Sequence, residues 1–151
     1  MNAKRAVAAG VIATASMTSL LLVEPSIGFP RIAVGSILSG VISAVSSHAP
    51  IGAVWGWVLD VVVGAVFALV YAAYLVDRLP GSGFVRGLLF GCMVFVLAQL
   101  VFAPMTGTGV FSHGDIELLA GGLLGHLVFG GVLGYVYGEG GAQAPRVEMQ
   151  A

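Results

Sequence analysis

Four long stretches with almost no charged residues constrain the fold of this chain more than any other feature of its sequence. They cover residues 6–23, 51–75, 84–102 and 116–137. A helix that crosses the ~30 Å hydrocarbon core of a bilayer needs ~20 apolar residues, so the stretches have about the length of transmembrane helices. A membrane β-barrel would need ~10-residue segments of alternating polarity, which these stretches do not show. The sequence therefore predicts an all-α membrane protein, a bundle of four transmembrane helices.

The composition excludes the other broad classes. Charged residues make up 9% of the chain, against ~25% in soluble domains, and the mean hydropathy is +1.03. Six basic and seven acidic residues cannot supply the polar surface of a soluble fold. A net charge of −1 provides no basic field for nucleic acid. The partner that the composition predicts is the lipid bilayer.

Polar breaks rich in proline and glycine separate the four stretches and leave no room for a soluble domain. We therefore predict a single membrane domain over residues 1–151 that ends in a polar tail at 138–151. The connection after the first stretch is more apolar than an ordinary loop. Its apolar residues recur at helical spacing with serines between them. This pattern predicts an extra amphipathic helix at 32–47 in the first outer loop, either interfacial or re-entrant.

The basic residues predict the direction of the helices. If the amino terminus is cytoplasmic, the inner side receives five of the six Lys and Arg residues, and the outer side receives Arg31. The five are Lys4, Arg5, Arg78, Arg86 and Arg146. The positive-inside rule then predicts that both termini are cytoplasmic. Lys4 and Arg5 before an apolar run are also compatible with a signal peptide, an alternative that an internal repeat disfavours.

The second and fourth helices align when the chain is shifted by 66 residues. Six of the sixteen positions from 56 to 71 are then identical, including the pairs Gly56/Gly122 and Gly64/Gly130. The first and third helices align more weakly. Because equivalent helices run in the same direction, the pattern predicts two tandem parallel helical hairpins. A first helix that belongs to this repeat would be retained rather than cleaved.

The repeat aligns Asp60 with His126, the two strongly polar ionisable residues deep inside the spans. Glycines at four-residue spacing flank both residues. The predicted helix-packing glycines are Gly56, Gly64, Gly122, Gly130 and Gly134. Such stripes allow close helix contact, and a charge that faces lipid costs at least ~2.5–3.5 kcal/mol. We therefore expect the second and fourth helices to cross through these glycines, with Asp60 and His126 hydrogen-bonded as an intramembrane polar pair.

Two roles remain open for this pair: a structural bond that fixes the helix register, and a proton or ion relay. Gln99 in the third helix is a further candidate for a polar lining. His48 and His113 lie in the outer loops near two acids, but their spacing is not that of a metal site. A haem would need two axial ligands at depth. The sequence thus predicts neither a metal nor a cofactor, and it contains no catalytic motif.

Several strings of residues, spread over nearly the whole chain, carry a family resemblance. They are KRAVAAG (4–10), ASMT (15–18), RLPG (78–81), RGLLFG (86–91), AQLVFAPM (98–105) and GHLVFG (125–130). With these strings the chain resembles a family of short bacterial inner-membrane proteins of unknown function. The resemblance implies a four-helix protein of the bacterial inner membrane and supplies no catalytic residue.

The function predicted from these features is non-enzymatic. Short loops leave little for chemistry in water, and the glycine-rich faces exceed what one small bundle can use. We therefore expect an accessory or structural subunit, or a self-associating bundle, in a homo-oligomer or a larger membrane complex. The alternative is a small transporter or channel whose pathway is lined by Asp60, His126 and Gln99.

Overall fold

A computed structural model describes residues 1–46 and 52–139 of the chain, and every regular element within these ranges is helical. The helices are α1 (Ala3–Val23), α2 (Val34–Ser46), α3 (Gly52–Val70), α4 (Gly83–Leu97), the single turn α5 (Ala103–Met105) and α6 (Ile116–Glu139). Two π-helical turns, Tyr71–Leu75 and Ala98–Phe102, continue α3 and α4. The predicted all-α class is confirmed.

Four helical segments are long and apolar enough to cross a membrane. They are Ala3–Ile27, Val54–Leu75, Gly83–Met105 and Ile116–Gly138. Large apolar side chains on their outer faces are about half exposed, for example Val62 at 51% and Leu100 at 50%. A surface of this kind is stable in contact with lipid rather than water. The prediction of a multi-pass membrane protein with four transmembrane helices is confirmed by the length and composition of these helices.

The most extensive helix contact joins α4 and α6 backbone to backbone. A Cβ at Gly87 would overlap the Gly130 carbonyl oxygen, and a Cβ at Gly134 would overlap the Gly83 carbonyl oxygen. A Cβ at Gly91 would overlap the carbonyl oxygen of His126 in the same way. The glycine stripe of α6 therefore packs on a second glycine stripe in α4.

The glycines of α3 contact two other helices. Gly64 lies against Thr14 of α1, and Gly56 lies against the backbone of Gly35 in α2. Extensive contact joins α1 to both α3 and α6, whereas no comparable contact joins α3 to α6. The prediction that the second and fourth helices cross through their glycines is therefore wrong, because each glycine face already has another neighbour.

The basic residues Lys4, Arg5, Arg78 and Arg86 belong to one end of the bundle, which we call the basic end. There the Arg5 Nη2 donates a 2.7 Å hydrogen bond to the Val136 carbonyl, and the Arg86 Nη1 donates a 2.9 Å bond to the Val76 carbonyl. Arginine side chains thus satisfy carbonyls that the ends of helices leave free. The opposite end, which we call the α2 end, holds α2 and the connection from α4 to α6.

A buried apolar cluster fills the half of the bundle nearer the basic end. Its members are Ala9, Ala13, Ala68, Tyr71, Phe90, Val94, Phe129 and Leu133. The ring of Phe90 contacts Tyr71 at a centroid distance of 5.1 Å and Phe67 at 6.4 Å. Through these rings α3 meets α4, whereas α1 and α6 approach each other closely along their length. The contact between α1 and α6 is therefore much more extensive than the contact between α3 and α4. The arrangement as two tandem hairpins stays a prediction.

The predicted amphipathic helix at 32–47 corresponds to α2, Val34–Ser46. It packs on α3 and buries Val34, Leu38 and Val41, while Ser36 on its other face is exposed. The first two residues of the predicted polar tail at 138–151 belong to α6, which continues to Glu139. The rest of the tail, including Arg146, lies outside the described residues.

Candidate functional site

A cavity of about 420 Å³ lies between the four spans and extends to the loops at the α2 end. All four spans contribute to its wall, and α2 with the residues before it covers one side. The polar lining residues are Thr14, Arg31, Asp60, Gln99, Thr106, Thr108, Ser112 and His126. The other lining side chains are apolar, among them Met17, Phe67 and Phe129. A mostly apolar cavity of ~300–1,000 Å³ with a few convergent polar groups is typical of small-molecule sites.

Asp60 lies on the wall formed by α3 and is partly buried. Its Oδ2 accepts a 3.2 Å hydrogen bond from the Thr18 hydroxyl of α1. Asp60 is six residues beyond Val54, where the span begins, which corresponds to a depth of about 9 Å at the rise of an α-helix. A carboxylate has about four acceptor positions, so one hydroxyl leaves most of its hydrogen-bonding capacity unused.

His126 lies ten residues beyond Ile116, near the middle of its span, at a depth of about 15 Å. Its Nδ1 forms a 2.7 Å hydrogen bond with the Gly122 carbonyl, one turn earlier in α6. A carbonyl oxygen can only accept, so Nδ1 carries the proton and Nε2 of the neutral ring is an acceptor. The ring of Phe95 contacts the imidazole edge-on, with the centroids 5.7 Å apart.

The hydrogen bond expected between Asp60 and His126 is not found among the described residues. Asp60 bonds Thr18 on α1, and His126 bonds the backbone of its own helix. The physical reason is the packing, because α6 turns its glycine stripe toward α4 and α3 turns its own toward α1 and α2. The two side chains nevertheless line the same cavity.

Gln99 is buried in the π-helical turn that follows α4, and it also lines the cavity. Its Oε1 accepts a 3.3 Å hydrogen bond from the Ser112 hydroxyl. Ser112 has a positive φ of 50°, and its neighbours Phe111 and His113 have φ values of 47° and 52°. Three consecutive non-glycine residues in the left-handed region are costly, and this backbone holds Ser112 next to Gln99.

Thr14 adds a hydroxyl of α1 to the cavity wall, one turn before Thr18. Its Oγ1 is buried and has no hydrogen-bond partner in the structure. A Cβ at Gly64 would overlap this oxygen, so the glycine leaves the space that the hydroxyl occupies. Thr14 and Thr18 therefore face Gly64 and Asp60 across one helix contact.

The five predicted packing glycines lie at different places in the structure. Gly56 contacts α2, Gly64 contacts α1, and Gly130 and Gly134 contact α4. Gly122 lines the cavity, and a Cβ built on this glycine would lie 3.4 Å from the Phe95 ring. Within the described ranges, each glycine of the four spans has an atom of another helix or connecting segment near its Cβ position.

Sequence reasoning identified Asp60, His126 and Gln99. It missed Thr18 as the donor to Asp60. It also missed the other polar residues of the cavity wall, which are Thr14, Arg31, Thr106, Thr108 and Ser112. The spacing of Thr14 and Thr18 matches that of Gly64 and Asp60. Residues four apart share one helix face, so this match was a usable signal for the contact between α1 and α3. The contact of Ser112 with Gln99 left no such periodic signal, since it depends on the loop backbone.

Glu24, which directly follows the first apolar stretch, is a second buried acid. It is 1% exposed, and neither carboxylate oxygen has a hydrogen-bond partner in the structure. Its Oε2 would lie 2.9 Å from a Cβ at Gly121, and the Phe29 ring also packs against Gly121. Glu24 is not part of the cavity lining.

The structure brings no cluster of three potential metal ligands together among the described residues. His113 is exposed and packs against Gly109, and His48 lies outside the described ranges. Arg31 is exposed at the α2 end of the cavity and is the one cation among its described lining residues.

Residues 1–146 match the model of DUF6789, a family of unknown function. No curated protein and no solved structure matches the chain.

Proposed function

The chain belongs to the DUF6789 family, and we propose that it is a small, non-enzymatic membrane transporter that takes up a solute in the cavity between its four spans. The observation that carries this proposal is the cavity of about 420 Å³ with Asp60, Gln99 and His126 in its wall. The volume suits a small organic molecule.

The position of the polar groups supports a role in solute binding rather than a purely structural role. Polar side chains inside a membrane are costly, and they commonly mark the path of a substrate or an ion. Here Thr14 has no protein partner, and Asp60 accepts a single hydroxyl. Groups that served only to hold helices together would be satisfied by each other.

The cavity has different surroundings at its two ends. Arg31, Thr106 and Thr108 line it at the α2 end, where Arg31 is exposed. Toward the basic end Val94 and Phe129 belong both to its wall and to the buried apolar cluster. A carrier in a state that is accessible from one side only would have a cavity arranged in this way.

The accessory or self-associating role has less support. It depended on glycine faces that remain free for a partner, and the span glycines contact other parts of the same chain, as Gly87 and Gly130 do in α4 and α6. Mass spectrometry of the complex extracted in mild detergent tests this role, since an accessory subunit would be recovered with a second kind of chain.

We further propose that the protein lies in a bacterial inner membrane with both termini in the cytoplasm. Lys4, Arg5, Arg78 and Arg86 all belong to the basic end, whereas Arg31 is at the α2 end. The positive-inside rule then makes the basic end cytoplasmic. The cavity would consequently be reached from the periplasmic side.

A pair of matched variants tests uptake of a solute into the cavity. Ala98→Trp places a large ring in the cavity wall, and Ala15→Trp places the same ring on an exposed face of α1. The probes are phenethylamine, 2-phenylethanol and 3-phenylpropionate, which share a phenyl group and differ in charge. We expect at least one probe to bind saturably to the wild type and to Ala15→Trp in nanodiscs, and to lose this binding in Ala98→Trp.

The transport step is tested with the probe that binds. Proteoliposomes loaded with unlabelled probe should exchange it for labelled probe faster than liposomes without protein. The absence of saturable binding by all three probes, or equal binding by both tryptophan variants, would contradict the cavity as a solute site. Binding without exchange would contradict transport.

A further inference from the structure

The α3 wall of the cavity offers a carboxylate without a cationic partner. Asp60 accepts one hydrogen bond, from Thr18 at 3.2 Å, and no ion pair reaches it among the residues that the structure describes. Inside a membrane, acids normally pair with a cation or with several donors. The carboxylate can therefore accept a cationic partner that the chain itself does not supply.

His126 adds a second acceptor to the same wall. Because its Nδ1 donates to the Gly122 carbonyl, Nε2 of the neutral ring has a lone pair that remains available. The acceptors come from different helices, Asp60 from α3 and His126 from α6. A ligand that donates hydrogen bonds and carries a positive charge would satisfy both.

The remaining wall suits the apolar part of such a ligand. Phe67, Phe129 and Met17 line the cavity on three helices. Aromatic faces attract cations as well as apolar groups, and thioethers adapt to ligands of varied shape. The lining cation, Arg31, is exposed at the α2 end, where salt screens its charge.

From this juxtaposition we propose that the solute is a small organic ammonium ion, with its N–H groups directed to Asp60 and its apolar body against the aromatic wall. This inference rests on the proposed function, because it names the chemical class that the cavity takes. An anionic ligand would meet an uncompensated carboxylate in the cavity wall. A neutral alcohol would fill the same volume without pairing the charge.

The three phenyl probes distinguish these classes on the unmodified protein. In nanodiscs at pH 7, with empty nanodiscs as the reference for partition into lipid, phenethylamine should bind at least about tenfold tighter than 2-phenylethanol, which corresponds to ~1.4 kcal/mol. 3-Phenylpropionate should bind most weakly. If the alcohol or the acid binds as tightly as the amine, the ammonium proposal is overturned while the solute cavity stands.

Variants then assign the effect to one carboxylate. Asp60→Asn keeps the size and hydrogen-bonding capacity of the side chain and removes the charge, so the preference for the amine over the alcohol should disappear. Asp77→Asn removes an exposed acid from the turn between α3 and α4 and should leave the preference unchanged. A preference that survives in Asp60→Asn would overturn the assignment. Should this variant fail to fold, the comparison of the three probes on the wild type decides the matter.

Discussion

Thr18 of α1 donates a 3.2 Å hydrogen bond to Asp60 Oδ2 of α3, and through it the carboxylate is held at the wall of the cavity. The bond joins the two helices one turn away from the contact between Thr14 and Gly64. The polar residue that sequence reasoning paired with His126 is thus positioned by the first helix.

Replacing Thr18 with valine should weaken the contact between α1 and α3. The variant keeps the shape of the side chain but removes its hydroxyl, and interhelical hydrogen bonds in membranes contribute about 0.6 kcal/mol on average and up to about 1.7. The unfolding free energy in mild detergent, measured by titration with a denaturing detergent, should fall by an amount in this range. Ser19→Ala is the control, because the Ser19 hydroxyl bonds the Ala15 carbonyl of its own helix. Equal losses in both variants would contradict an interhelical role of Thr18.

Alanine at Gly87 should be strongly destabilising. A Cβ there would overlap the Gly130 carbonyl oxygen, so α4 and α6 would have to separate, at a cost of about 1–3 kcal/mol or more. Gly40→Ala in α2 is the matched control, since nothing lies within 4 Å of a Cβ at Gly40. The melting temperature of the purified protein should drop for Gly87→Ala and not for Gly40→Ala. A melting temperature that is unchanged in Gly87→Ala would be incompatible with the glycine contact described above.

Methionine at Glu24 should stabilise the fold. The Glu24 carboxylate is 1% exposed, and its oxygens have no partner in the structure. An apolar side chain of similar length avoids the desolvation of these oxygens, worth about 1–3 kcal/mol. Glu117→Met replaces an exposed acid of α6 and should change stability by less than about 0.5 kcal/mol. A lower melting temperature in Glu24→Met would show that the carboxylate has a partner that holds it in place.

Cysteine labelling checks the proposed orientation. In a Cys92→Ala background, which removes the chain's single cysteine, one cysteine is placed at the exposed position 77 or 110 by Asp77→Cys or Val110→Cys. A membrane-impermeant maleimide added to spheroplasts should label Val110→Cys, in the connection from α4 to α6, and reach Asp77→Cys only after the membrane is opened. The reverse pattern would place the basic end outside.

The spans were predictable from the sequence because a bilayer imposes a length and a polarity that can be counted along the chain. The helix neighbours were not. Glycine spacing in α3 and α6 correctly indicates faces that permit close approach, but it does not say which helix fills a face. The partner stripe of Gly83, Gly87 and Gly91 in α4 is as regular as the stripe in α6, but spacing alone does not identify the two stripes as partners.

The candidate site was predictable in its polar residues and not in their bonds. Asp60, Gln99 and His126 stand out because polar residues are rare in apolar spans. Their partners are a hydroxyl of α1, a loop serine and a backbone carbonyl. Such partners have no distinctive sequence pattern, since threonine, serine and backbone groups occur throughout the chain and the fold selects among them.

The glycine contact between α4 and α6 also limits how the protein can move. Helices that touch backbone to backbone over three turns rock together as one rigid unit, because sliding one past the other would drive carbonyl oxygens into Cα atoms. The seam between α3 and α4 is closed instead by the rings of Phe90 and Tyr71, and rings can rotate away from each other. If the chain is the transporter proposed above, alternating exposure of the cavity to the two membrane faces would hinge at this aromatic seam.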